Sequence, residues 1–371
     1  LLVWQIFQAA GVVGEANSLF AKNILWWFGH PVVYLLLFPA VAAYYFLVPR
    51  YAGRQLVAGN VIAVAWTVAV LANVLVWAHH IYLDYPDGTP QAQINTIMQP
   101  ITFSLVLPSA LSLYSLAFTI YRSRFRWTAA STAIFLGLVG WLLAGLSGVV
   151  NATIAFDVII HNTLWIVGHF HHMAMLNIGL LIFGAVYALL PELSGKALYS
   201  EGMARIHVWV TFLAGMIFFG IWLVQGLDGG APRRWSVLPS DYDTLTRWSL
   251  PFVFLLAGVQ ALFFWNVIQT LRGKGGQATF DERGIPLPST RPSRSAPVGE
   301  ALLVLAALGL AAAFAAAGYV IGRETADSGS TVTVTDGQTG GETGGETEGE
   351  TCVTGDAAAG DELFAASGCG G

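Results

Sequence analysis

The chain has 371 residues, of which 55% are hydrophobic and only 11% charged, against about 25% charged in an ordinary soluble domain. This composition excludes a water-soluble globular protein, and the lack of any sizeable basic face excludes nucleic-acid binding. The formal charge of −5 is unevenly divided: residues 323–371 hold 10 acids and one base, so the rest of the chain is net positive at +4.

A membrane helix needs about 20 mostly apolar residues. Eight stretches qualify, at 22–48, 60–83, 97–121, 129–151, 163–190, 204–226, 248–271 and 298–321, and residues 1–13 read as the end of another. The expected fold is therefore all-α, a polytopic transmembrane helix bundle followed by a flexible linker. The strand-like alternation of a membrane barrel is absent. The chain opens inside an apolar run without an initiator Met and stops at Gly368-Cys369-Gly370-Gly371. It reads as an internal piece of a longer protein, with a membrane domain over 1–322, an acidic Gly/Glu/Thr linker over 323–354 and the start of a small domain over 355–371.

Loop charges set the orientation. Arg50 and Arg54, then Arg122, Arg124 and Arg126, then Arg272, Lys274, Arg283, Arg291 and Arg294 mark alternate loops as cytoplasmic. Loop 191–203, which is mixed in charge, joins them by alternation. The intervening loops carry Asp84, Asp87 and Asp157, and the acidic tail falls outside. The Arg233-Arg234 doublet sits on an outer loop against this rule, an exception that often marks an anion site.

Ionisable groups inside a membrane are costly and functional by default. Of the eight His, those at 30, 79–80 and 169–172 fall at one depth, near the outer ends of three spans. His79 and His80 differ by about 100° around a helix, so both can lean toward one ion, and His30 would add a third imidazole. Imidazole-only ligation suits copper, iron or zinc. His169 and His171 lie about 200° apart, so they cannot share one ion but can each hold a different haem on opposite sides of one helix. Tyr34 lies one turn below His30 on the same face. His172 and His207 read as hydrogen-bonded helix contacts and His161 as intermediate between solvated and functional. Trp26, Trp27 and Trp165 read as interfacial anchors.

Three motifs then become specific. Trp26-Trp27-Phe28-Gly29-His30-Pro31-Val32-Val33-Tyr34, His79-His80 and His161-Asn162-Thr163-Leu164-Trp165-Ile166-Val167-Gly168-His169-Phe170-His171 resemble subunit I of the haem–copper oxygen reductases. With Pro232-Arg233-Arg234, the wording is most similar to the B-type branch. The resemblance covers about residues 1–320, the second half of such a subunit, and implies the following roles. His30, His79 and His80 would hold the active-site copper, with Tyr34 cross-linked to His30. His169 would bind the high-spin haem iron and His171 the low-spin haem iron, whose other ligand lies early in such subunits. Arg233 and Arg234 would bind haem propionates as bidentate forks. Asp157 and His161 would lie near a propionate, at a candidate proton-loading site. Tyr45, Ser109 and Ser112 would belong to a proton path from the inner face to Tyr34, although Val41 stands where the family pattern often has another tyrosine.

Gly360 to Gly371 resembles the opening of a c-type cytochrome domain, with Cys369 the first cysteine of an incomplete C-x-x-C-H haem-attachment motif. The resemblance implies a prokaryotic plasma-membrane oxidase that reduces dioxygen to water and translocates protons. Its electrons would come from cytochrome c or the fused c-type domain, and a copper-containing subunit II would be a partner. A nitric oxide reductase would keep the histidines but usually hold iron in place of copper and lack this tyrosine. A transporter or simple electron-carrying cytochrome would bind no carbon monoxide.

Overall fold

A computed structural model describes residues 2–14, 17–81, 92–227 and 243–289. Among these residues the fold is helical and has no strand, only isolated bridges at Lys196–Gln277 and Phe280–Pro286. In chain order the helices are α1 (Leu2–Ala9), α2 (Ser18–Ala52), α3 (Gly59–Asn73), a 3₁₀ helix (Val76–Ile81), α4 (Ala92–Ser104) and α5 (Val106–Ile120). Then follow α6 (Ala129–Ala152), α7 (Ile154–Ile160), α8 (Leu164–His171), a π-helix (His172–Gly179), α9 (Leu180–Ser194), α10 (Glu201–Leu227) and α11 (Asp243–Leu271).

Among the described residues six apolar runs are long enough to cross a bilayer: Leu19–Ala52, Ile97–Ile120, Ala129–Ala152, Leu164–Ser194, Glu201–Leu227 and Thr244–Leu271. They coincide with six of the expected spans. The expected span 298–321, the linker and the tail lie outside the described residues, as do Arg233, Arg234 and Cys369.

Two spans differ in detail from the expectation. The stretch 60–83 is not one α-helix, because α3 ends at Asn73 and a tighter 3₁₀ helix carries the chain on through His79 and His80. The stretch 97–121 is interrupted at Leu105, between α4 and α5. Pro108 accounts for the interruption. It has no N–H to give the carbonyl four residues back, and its ring crowds that carbonyl.

The π-helix continues the span begun by α8. It rests against α6 because two residues there lack side chains: a Cβ on Gly140 would lie 2.6 Å from the Leu176 carbonyl oxygen, and one on Gly137 would strike the Tyr44 hydroxyl. Small residues allow such close approach between membrane helices. The buried Tyr44 hydroxyl donates to Asn177 Oδ1 at 2.7 Å and ties α2 to the π-helix. Trp141, Tyr44, Tyr51 and Phe219 are among the largest fully buried side chains.

Beyond α11, residues 272–289 fold back against the end of α2 and the loop between α5 and α6. Arg283 donates to the backbone oxygens of Tyr51, at 3.2 Å, and Arg124, at 2.8 Å. Arg126 pairs with Asp281 at 3.0 Å, and Ile285 is fully buried.

Candidate metal centre

Three imidazoles meet between α2 and the 3₁₀ helix. His79 Nε2 lies 3.0 Å from His30 Nδ1, and His80 Nε2 lies 3.1 Å from the same atom. Ring nitrogens of all three lie within 4.8 Å of one another. The 3₁₀ geometry sets successive side chains about 120° apart, and from there both rings reach His30. Trp26, one turn before His30 on α2, stacks on His80 with centroids 3.8 Å apart and planes 7° from parallel. It is therefore a wall of the cluster. Trp27 is 62% exposed, whereas Trp165 donates to Asn151 Oδ1 at 2.6 Å.

Hydrogen bonds around the cluster indicate which nitrogens are free to ligate. The Thr102 hydroxyl donates to the Met98 carbonyl at 2.7 Å, so its oxygen is an acceptor for His79 Nδ1–H at 3.1 Å. That places the proton on Nδ1 and the lone pair on Nε2, facing His30. His30 is buried, and its Nε2 has no hydrogen-bond partner. In the tautomer with its proton on Nε2, His30 turns its Nδ1 lone pair toward Nε2 of His79 and of His80, and lone pairs converging in this way repel unless a cation lies between them. Ion-to-nitrogen bonds of about 2.0–2.1 Å set nitrogens roughly 3.3–3.6 Å apart. The observed 3.0–3.1 Å therefore needs only a small spreading, and the donor set fits a copper ion.

Tyr34 stands against this cluster, its ring centroid 4.9 Å from that of His30. His169 and His171 leave α8 in different directions. His169 Nδ1 lies 2.9 Å from Ser147 Oγ on α6, whose hydroxyl donates back to the Ala144 carbonyl at 3.0 Å. His171 Nδ1 bonds the Val167 carbonyl at 2.8 Å, and its ring packs against Phe219 and Trp222 of α10. Each of these histidines thus spends Nδ1–H on a protein acceptor and keeps Nε2 for a metal. Both fit axial ligation of a haem iron.

His161 Nδ1 pairs with Asp157 Oδ2 at 3.1 Å, with side chains 13% and 5% exposed. Tyr45 and Ser112 are in contact: Ser112 donates to the Pro108 carbonyl at 2.6 Å and accepts from the Tyr45 hydroxyl at 2.6 Å. Trp66 of α3 donates Nε1–H to both oxygens, at 2.7 and 2.8 Å. Ser109 is half-buried and takes no part in this group, and Val41 is buried in the apolar core. His172 bonds the Gly168 carbonyl, and His207 is satisfied by Tyr187 and Gln260, so both are the hydrogen-bonded contacts expected.

Four site residues were not legible in advance: Trp26, Trp66, Thr102 and Ser147. Only Trp26 carried a signal, its i, i+4 spacing to His30. The others come from helices distant in sequence.

Residues 1–272 match the family described as "Cytochrome C and Quinol oxidase polypeptide I". Cytochrome c oxidase subunit 1 of Thermus thermophilus is 29% identical over 310 residues, covering 77% of this chain and 53% of the relative. The subunit of the same name from Corynebacterium diphtheriae is 30% identical, covering 70% and 45%. A solved structure titled as a heme-copper terminal oxidase dimer superposes with a TM-score of 0.65 at 24% identity, over 81% of this chain and 58% of the other, and shares its fold. The chain spans about half the length of these curated relatives.

Proposed function

Because the chain belongs to the haem–copper oxidase subunit I family, we propose that it carries the dioxygen-reducing centre of a proton-translocating terminal oxidase in a prokaryotic plasma membrane. The observation that carries this reading is the convergence of His30, His79 and His80 nitrogens within 4.8 Å, beside Tyr34. The three would hold copper, His169 the high-spin haem iron and His171 the low-spin haem iron. When bound, these metals supply a site for dioxygen and electrons to reduce it.

The chain's own residues do the remaining work. Tyr34 keeps a phenolic proton next to the copper ligands, where it is available together with an electron. Protons come from the inner face through the Tyr45–Ser112 pair, which Trp66 holds in place, with Ser109 on the same helix. Val41 stands where the family pattern often has another tyrosine, and a water molecule would have to fill that gap on the way to Tyr34. Asp157 and His161, paired at 3.1 Å, would lie close to a haem propionate, and Arg233 and Arg234 would bind the propionates.

In this reading residues 1–322 are the membrane domain, 323–354 a linker, and 355–371 the opening of a c-type cytochrome domain with Cys369 as its first haem-attachment cysteine. The tail lies outside, where cytochrome c or the fused domain delivers electrons and a copper-containing subunit II docks. The motif wording favours the B-type branch. Tyr34, and the absence of Glu from His30 to Tyr34, favour dioxygen over nitric oxide.

The test is metal analysis and a reduced-plus-carbon-monoxide difference spectrum of the full-length protein. One copper per high-spin haem and a carbon-monoxide-binding haem are expected. Iron in place of copper would move the protein to the nitric oxide reductases, and no carbon-monoxide-binding haem would remove the oxidase reading altogether.

A further inference from the structure

The clearest feature outside the metal centre lies at the other membrane surface. Residues Arg124, Arg126, Asp281, Glu282 and Arg283 line an open cavity of about 440 Å³, where the loop between α5 and α6 meets the segment after α11. Its charges are not equally available. Asp281 is fully engaged: Oδ2 pairs with Arg126 at 3.0 Å, and Oδ1 accepts the backbone N–H of Arg283 at 2.9 Å and of Ile285 at 2.8 Å. The Arg283 guanidinium is turned toward backbone oxygens. Arg124 is exposed, and among the described residues no carboxylate lies within ion-pair distance of it or of neighbouring Arg122.

The surroundings point to the ligand. Tyr121 and Trp127, 57% and 50% exposed, flank Arg124 in the same loop, and the Arg122 guanidinium lies 5.2 Å from the centre of the Tyr121 ring. Exposed aromatic rings beside arginines are the composition of a membrane–water interface. Basic pockets at the cytoplasmic ends of membrane helices suit anionic headgroups, and a guanidinium fork matches a phosphate oxygen pair. We propose that this cavity binds the phosphate of an anionic phospholipid of the inner leaflet, with Arg124 the principal contact. The lipid would lie between the α5–α6 loop and the returning segment 272–289. Glu282 is the one acid on the cavity without an ion-pair partner among the described residues, and it opposes binding.

The test titrates phosphatidylglycerol against the intact purified oxidase in a neutral detergent, with phosphatidylcholine and inorganic phosphate as parallel arms, reading bound lipid by native mass spectrometry. Saturable phosphatidylglycerol binding is expected, with none for phosphatidylcholine. Arg124→Gln should weaken it about fivefold, the value of one basic side chain at an anionic surface, and Glu282→Gln should tighten it. Neither variant touches the metal centre, so an unchanged haem spectrum reports intact folding. Inorganic phosphate displacing the lipid at matched concentration would show a free-phosphate site and overturn the lipid assignment. Equal binding by wild type and Arg124→Gln, or by both lipids, would overturn the site itself.

Discussion

At the scale of single residues, hydrogen bonds decide which nitrogen of each imidazole can ligate. Thr102 takes the His79 Nδ1 proton and Ser147 that of His169, because both hydroxyls are already donating to helix carbonyls. Loss of such a partner typically lowers metal affinity 10–100-fold. Thr102→Val should therefore lose copper to a chelator at about tenfold lower concentration while the haem spectrum persists, and copper retention equal to wild type would remove Thr102 from the site. Tyr34→Phe should abolish oxygen uptake at an electrode while leaving the reduced haem spectrum in place. Uptake at the wild-type rate would mean that the phenol has no part in the reaction. Trp66→Phe leaves the Tyr45–Ser112 pair without its shared donor. It should slow turnover several-fold and enlarge the solvent deuterium effect, with the metal content unchanged.

At the scale of elements, helix type matters more than helix length. The 3₁₀ helix Val76–Ile81 brings both His79 and His80 to His30, and the π-helix directly follows the two haem-ligand candidates of α8. Single π-helical insertions in α-helices recur at functional sites. Here the π-helix depends on the bare face of α6. Gly140→Val would force a side chain into the Leu176 carbonyl, and overpacking of this kind costs about 1–3 kcal/mol. The expected result is a lower melting temperature in detergent and a reduced haem content. An unchanged melting temperature would show that α6 and the π-helix can separate at no cost.

At the scale of the whole molecule, the bundle is oriented by arginines that are held in place. Arg50 pairs with Glu192 and also donates to the backbone oxygens of Arg283 and Gly284, so the last turn of α2, the end of α9 and the segment 272–289 form one surface at the same end of the bundle. Under the positive-inside rule that surface faces the cytoplasm. With Cys352→Ser and Cys369→Ser removing the cysteines of the tail, Ser123→Cys at this half-buried position should react with a membrane-impermeant maleimide in inside-out vesicles and stay protected in right-side-out ones. The opposite pattern would invert the topology and move the anionic-lipid cavity to the outer leaflet.

Much of this was determined by the chain's own chemistry. Twenty-residue apolar runs can only be satisfied as helices in lipid, so the all-α bundle and six of its spans were readable from hydropathy. The 200° separation of His169 and His171 likewise follows from helix geometry within one element, and their side chains do turn to α6 and α10. What only the tertiary structure decided are relations between helices far apart in sequence: Thr102 behind His79, Ser147 behind His169, and Trp66 over Tyr45 and Ser112. The switch to 3₁₀ and π winding belongs to the same class. Local periodicity records which face of a helix is apolar, but it holds no information on which neighbour will supply a hydroxyl to that face. A buried polar group finds its partner only when the helices pack.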